Sequence, residues 1–193
     1  MKKWIAQVGL ALMALCFCSA YASPMLTLIP ANGMVSGTTG QTVGWGYTIN
    51  NDTSFYLLVD SSNFCQAGED PLFTTCTQTQ GTYVDYIASN MTVVSPGGMP
   101  SQSFNSMTMT GVGAYQISGT APATDSGSII VTYQEFNGVP GMMGSMQVSG
   151  DIEFPAQSAS VTVVPSAAVP EPASFTLAGG VLLMMAARRL RGL

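Results

Sequence analysis

Residues 41–49 read QTVGWGYTI. On an extended chain Val43, Trp45, Tyr47 and Ile49 fall on one face, and Thr42, Gly44, Gly46 and Thr48 on the other. Side chains alternate across a strand with a period of two, so this stretch predicts a strand with one large apolar face. The same alternation recurs at residues 145–154, SMQVSGDIEF, which groups Met146, Val148, Ile152 and Phe154 against Gln147, Ser149, Asp151 and Glu153. SFYLLVD (54–60), TYVDYIA (82–88), MTVVS (91–95), GAYQISG (113–119), SIIVTYQEF (128–136) and SVTVV (160–164) are further runs rich in β-branched and aromatic residues. NGVPG (137–141) and SPGGMP (95–100) punctuate them as turns. No stretch between these runs carries a capped helical period. The expectation is an all-β fold: one immunoglobulin-like antiparallel sandwich of about eight strands. The Cys–Trp–Cys spacing of true immunoglobulin domains is absent, and Trp45 is expected in the core.

The charge distribution separates this body from its two ends. The chain of 193 residues has 5 Lys plus Arg, 10 Asp plus Glu, no His and a formal charge of -5. Lys2 and Lys3 open it, Arg188, Arg189 and Arg191 close it, and no cation lies between. MKKWIAQVGLALMALCFCSAYAS (1–23) has a basic start, an apolar run and Ala20-Tyr21-Ala22, the order of a secretory signal peptide. The expected cleavage follows Ala22 and leaves Ser23 first. A lipoprotein signal through Cys16 or Cys18 is disfavoured by bulky Leu15 and Phe17 ahead of them.

At the other end, residues 173–187 are uncharged and mostly apolar, between Glu171 and Arg188. About twenty apolar residues cross a bilayer comfortably, and mismatch costs only fractions of a kcal/mol per Å. Cations stay on the cytoplasmic side, so the lysines and the arginines both point inward and the body outward. Val169-Pro170-Glu171-Pro172, the apolar run with Leu177, Gly179 and Leu182, and Arg188-Arg189-Leu190-Arg191 together resemble the PEP-CTERM sorting signal. That resemblance covers about the last twenty-five residues. It implies an exported protein of a Gram-negative bacterium, read in the inner membrane by an exosortase-like processing enzyme. Delivery to the cell surface or an extracellular, biofilm-type matrix follows, with exopolysaccharide as a candidate partner. Leu190 interrupts the arginines, and Gly192-Leu193 trail them, which departs modestly from the pattern. The physical logic agrees: prolines on both sides of Glu171 keep the backbone extended for a processing cleft.

The resulting division is a signal peptide at 1–22, a β-sandwich ectodomain at 23–164, a Pro/Ala linker with the PEP motif at 165–172, and a C-terminal membrane or sorting helix at 173–193. Its partners are the secretion machinery, the processing enzyme and, transiently, the inner membrane. Of the 4 cysteines, Cys65 and Cys76 remain in the body, and an even pair in an oxidising compartment predicts a disulfide.

Composition excludes much chemistry. Without His, Ser-His-Asp and Cys-His catalysis lack their base, and zinc sites lack imidazole ligands. Without Lys or Arg in the body, phosphate loops and nucleic-acid binding lack their cations. Carboxylates remain: Asp151 and Glu153 share a strand face at the spacing a glycosidase pair could use, but their neighbours place them toward solvent. Glu69 and Asp70 in the cysteine loop, then Asp151 and Glu153, are weak calcium candidates, because extracellular calcium sites use such oxygens. Met107-x-Met109 and Met142-Met143-x-x-Met146 are thioether patterns suited to Cu(I), but Met is also a common core filler. Asn51-Asp52-Thr53 and Asn90-Met91-Thr92 match the N-glycosylation acceptor. The expectation is a non-enzymatic exported surface protein with no catalytic residue, cofactor or committed metal site. The contrasting expectation is a surface module that binds carbohydrate or calcium.

Overall fold

The computed structural model describes residues 23–72 and 74–166. Eleven strands and no helix occupy them: β1 (Met25–Ile29), β2 (Met34–Gly37), β3 (Thr42–Asn50), β4 (Tyr56–Cys65), β5 (Gly81–Asp85), β6 (Thr92–Val94), β7 (Ser101–Gln102), β8 (Gly113–Ile117), β9 (Ala123–Phe136), β10 (Ile152–Glu153) and β11 (Gln157–Val163). They form two sheets. One has the order β1-β3-β8-β5, with β7 also on β3; the other has the order β2-β11-β9-β4-β6, with β10 beside β9. Residues 41–49, which announced a strand, lie almost entirely in the central β3 of the first sheet. The signal peptide and the C-terminal helix of the sequence reading lie outside the described residues.

The period of two explains what each strand buries. In β1, Leu26 and Leu28 point inward and Met25, Thr27 and Ile29 outward. In β3, Trp45, Tyr47 and Ile49 enter the core, where they meet Leu57, Val59 and Phe64 of β4 and Ile129 and Val131 of β9. The ring of Trp45 stacks on Phe64 with centroids 5.9 Å apart, and Phe64 meets Tyr115 edge-on at 5.6 Å. The indole Nε1–H donates to the Gly33 carbonyl at 2.8 Å, so the buried ring leaves no polar atom unpaired.

The second face of β3 is also covered, which explains its glycines. The chain through Gln102–Phe104 runs across Gly44 and Gly46. A Cβ on Gly46 would strike the Gln102 carbonyl oxygen, and one on Gly44 would strike the Gly113 carbonyl oxygen and the Phe104 ring. The alternation in GWG is a large residue packed inward between two positions that admit another backbone.

Several details differ from the sequence reading. One pairing is parallel: β2 runs alongside β11, Met34 opposite Ser160 through Gly37 opposite Val163. The chain turns at Pro30–Gly33 and moves from the first sheet to the second. Five-residue β1 and four-residue β2 were not anticipated. Strand β4 continues past Asp60 to Cys65, with a bulge between Val59 and Ser61 that leaves Asp60 unpaired with β9. The stretch 145–154 is a strand only at Ile152–Glu153. Gly150 and the turn ahead of it break the alternation, so Met146 and Val148 are exposed instead of packed with Phe154. Met107 and Met109, which a core-filling role would bury, lie in the loop between β7 and β8 and are exposed.

Candidate functional site

Residues 66–80, between β4 and β5, form one of the two longest irregular segments joining strands of the described body. Loops this long without secondary structure are usually functional when something holds them. Four devices hold this one. The first is the expected disulfide, Cys65–Cys76, with Cα atoms 4.6 Å apart.

The second is Glu69. Its carboxylate accepts from the Gln66 N–H at 2.8 Å, the Thr77 N–H at 2.9 Å and the Thr77 hydroxyl at 2.5 Å. It thus ties the residue after one cysteine to the residue after the other. These hydrogen bonds, with the Thr77 hydroxyl foremost, hold its carboxyl below the usual range. Both oxygens of this calcium candidate are already engaged by the loop.

The third is Asp125, on β9 and 1 % exposed. Its carboxylate accepts from the Tyr115 hydroxyl, from the Thr79 N–H at 2.8 Å, from the Gln80 N–H at 3.3 Å and from the Gln66 side-chain amide at 3.1 Å. Burial alone would raise this carboxyl. Donation from Tyr115, Thr79 and Gln80 outweighs it, and the group sits below its ordinary value. Burial and the bond to Asp125 push the Tyr115 phenol the other way, well above its usual range.

The fourth is Gln78, whose side-chain amide donates to the Phe64 carbonyl at 3.0 Å and the Cys76 carbonyl at 3.3 Å. Asn63 of β4, Tyr83 of β5 and Pro71, Thr74, Thr75, Cys76 and Gln78 of the loop line an open groove of about 370 Å³. Its polar groups are amides and hydroxyls, with no charged side chain. Such a lining offers hydrogen bonds to a neutral polar ligand and no counter-charge to an anion.

The remaining acidic candidates divide. Glu153 does not face open solvent as its strand neighbours implied: one carboxylate oxygen, Oε1, is buried without a partner. Burial, then the adjoining Asp70 carboxylate, push its carboxyl above the usual range. The Asp70 Oδ1 also accepts from the Leu72 N–H at 2.8 Å. Asp151 is exposed and shares the Gln134 side-chain amide with Asp60, at 2.8 and 3.1 Å. The fold therefore brings Asp70 to Glu153 and Asp151 to Asp60. Among the described residues no three Asp, Glu, Cys or His converge as a metal would require.

A second buried network went unsignalled by the sequence. The Ser62 hydroxyl, buried on β4, lies 2.6 Å from Asp85 Oδ1, 2.9 Å from the Tyr83 hydroxyl and 2.9 Å from the Val112 carbonyl. Asp85 also accepts from the backbone N–H groups of Ser62, Ile87 and Ala88 at 2.9, 2.8 and 3.1 Å. Burial pushes the Tyr83 phenol far above its ordinary value. Asp85 therefore bridges β4 in one sheet to β5 in the other. The Ser62 hydroxyl is buried between the sheets, spent on Asp85 and its neighbours in tying them together.

Asn51, the first glycosylation match, is fully buried. Its amide donates to the Phe55, Val94 and Ser95 carbonyls at 2.8, 3.3 and 3.0 Å, so its nitrogen is closed to modification. Asn90 is exposed. Ser23, the expected first residue after cleavage, is exposed two positions ahead of β1. Ala20, Ala22, Val169, Pro170, Glu171, Pro172, Arg188, Arg189 and Arg191 lie outside the described residues. Among the described residues no helix is long and apolar enough to cross a membrane. No protein-family model matches the chain, and no curated protein matches it.

Proposed function

We propose that this chain is an exported, non-enzymatic surface or matrix protein, delivered through its C-terminal sorting signal. The observation that carries the reading is the placement of charge. All 5 Lys and Arg lie at the two ends, each set beside an apolar run, and all 10 acidic residues lie between them. That arrangement fits an N-terminal export signal and a C-terminal signal of the PEP-CTERM type, with exosortase as the processing partner. The body suits such a life: a sandwich stapled by a disulfide that an oxidising compartment sustains.

The finer fold belongs to the same reading. The sheet orders β1-β3-β8-β5 and β2-β11-β9-β4-β6 support reading it as an immunoglobulin-like sandwich with a split first strand, the sheets read as A-B-E-D and A′-G-F-C-C′. The departure is that β5, in the D position, precedes β6, in the C′ position.

The test is to replace Val169–Pro172 with alanines and fractionate the cells. The variant should accumulate in the inner membrane with its tail attached while the parent protein leaves it. Equal release of both removes the sorting signal from the account. The groove beside the disulfide loop favours a second reading, a module for neutral carbohydrate. Exopolysaccharide from the producing cells, titrated against the protein, should then lose affinity on Gln78→Ala and Asn63→Ala. Undiminished binding by both variants places the sugar elsewhere.

A further inference from the structure

Methionine ordinarily fills cores, where its flexible thioether packs into irregular gaps. Here it does the opposite. Met25, Met34, Met91, Met99, Met107, Met109, Met142, Met143 and Met146 are nine of the chain's 13 methionines, and all nine are exposed, from 43 % at Met109 to 103 % at Met143. The core beneath them is built from Leu, Ile, Val, Ala and aromatic residues, with no methionine. Most other oxidisable groups of the described body are protected, Tyr56 and Tyr83 being half-buried. Trp45 is fully buried, Tyr47, Tyr86, Tyr115 and Tyr133 are at most 5 % exposed, and the two cysteines are paired.

We propose that these thioethers form a sacrificial layer that consumes hydroperoxides at the protein surface. The sulfur lone pair attacks the terminal oxygen of the hydroperoxide and the O–O bond breaks. Sulfur is oxidised by two electrons to the sulfoxide, and the peroxide is reduced to water or, from an alkyl hydroperoxide, to the alcohol once the proton moves to the leaving oxygen. Each methionine takes one equivalent, and sulfoxide reductases reverse the change.

Placement supports this use over a docking face or a metal centre. Met25 and Met34 stand on β1 and β2 of different sheets, and the others are spread over four loops, before and after β6, between β7 and β8, and between β9 and β10. Met142, Met143 and Met146 share one turn, closed by the Ser145 N–H on the Met142 carbonyl at 3.1 Å and the Met146 N–H on Asn137 Oδ1 at 2.8 Å. An interface or a metal needs convergence, whereas oxidant capture needs only exposure, residue by residue. Sulfoxide formation usually disrupts a protein by placing a polar group in its core. Here the added oxygen enters water, and the fold is insulated from the damage.

The test uses the full chain, oxidised stepwise with hydrogen peroxide. Peptide mapping by mass spectrometry, near-ultraviolet circular dichroism and the melting temperature are followed together. All nine positions should reach the sulfoxide with the near-ultraviolet signal intact and the melting temperature within about 2 °C of its starting value. A methionine placed in the core by Leu57→Met, at a fully buried position, should remain unoxidised under the same conditions. Loss of the near-ultraviolet signal in step with methionine conversion, or oxidation of Trp45 ahead of these methionines, overturns the proposal. In a second arm, an oxidant-sensitive enzyme is mixed with the protein and peroxide. The untreated protein should spare the enzyme, while protein already carrying the sulfoxides, and the variant with leucine at all nine positions, should not. Equal sparing by untreated and pre-oxidised protein refutes the protective role, whether or not the leucine variant folds.

Discussion

Removing the Asp125 carboxylate should unfasten the loop that frames the polar groove. In Asp125→Ala, the Tyr115 hydroxyl and the Thr79 N–H lose their acceptor beneath the loop, and the Gln80 N–H keeps only the Tyr115 oxygen at 3.3 Å. A buried donor left unpaired costs about 1–3 kcal/mol, and water can re-enter near the exposed Thr79, so the sum is about 4 kcal/mol. A single domain has only about 5–15 kcal/mol of stability, and for one of this size such a loss lowers the melting temperature by on the order of 10 °C. Asp125→Asn should be far milder, at about 1 kcal/mol, the charge assistance alone. Its amide oxygen can take the Tyr115, Thr79 and Gln80 donors, and a rotated Gln66 amide can accept from its nitrogen.

The pH dependence separates the same variants. A carboxyl held below its unfolded value contributes stability that is complete above the unfolded value, near 3.9, and is lost as pH falls through the folded value. The parent protein should therefore lose stability below about pH 4 more steeply than Asp125→Asn. Urea denaturation followed by tryptophan fluorescence, repeated from pH 7 to pH 3, measures both effects. An alanine variant within 1 kcal/mol of the parent, or superimposable pH profiles for parent and asparagine variants, refutes the reasoning.

Replacing Cys65 and Cys76 with serine opens a loop of sequence separation 11 and should cost about 3 kcal/mol, seen as a lower urea midpoint; an unchanged midpoint means the remaining clasps suffice. Glu153→Gln should stabilise the protein by about 1 kcal/mol at pH 7, because Oε1 is buried without a donor beside Asp70. A carboxyl raised by folding is least costly when protonated, so this gain should vanish as pH falls below the folded value; a variant less stable at pH 7 contradicts it. Gly46→Ala should cost about 2 kcal/mol by pushing the Gln102–Ser103 backbone off β3, read as a lower melting temperature. A neutral result would show that this segment yields freely.

Period-two alternation announced the fold class because a strand with one buried face must write it locally, as residues 41–49 do. The disulfide was legible for a similar reason: only one cysteine pair remained once the leader was set aside. What stayed hidden depends on neighbours remote in sequence. Asp125 acquires its role from Thr79 and Tyr115, and Ser62 from Asp85, none of which any short motif links. Glu153 read as a solvent acid because its strand neighbours alternate correctly, yet the loop carrying Asp70 covers it. The methionines read as core filler by residue type, and only the fold reveals that other apolar residues already fill the interior. The groove, too, needed the loop's path, since its lining comes from β4, β5 and residues 71–78 together.

The most direct measurement is the intact mass of the protein released from its native cells, with its C-terminal peptide sequenced. The account predicts a chain that begins at Ser23 and ends near residues 170–173, bare or joined to another molecule, with the arginines gone. A released protein that still carries Arg188 through Leu193, or one found only in membranes with that end intact, contradicts it.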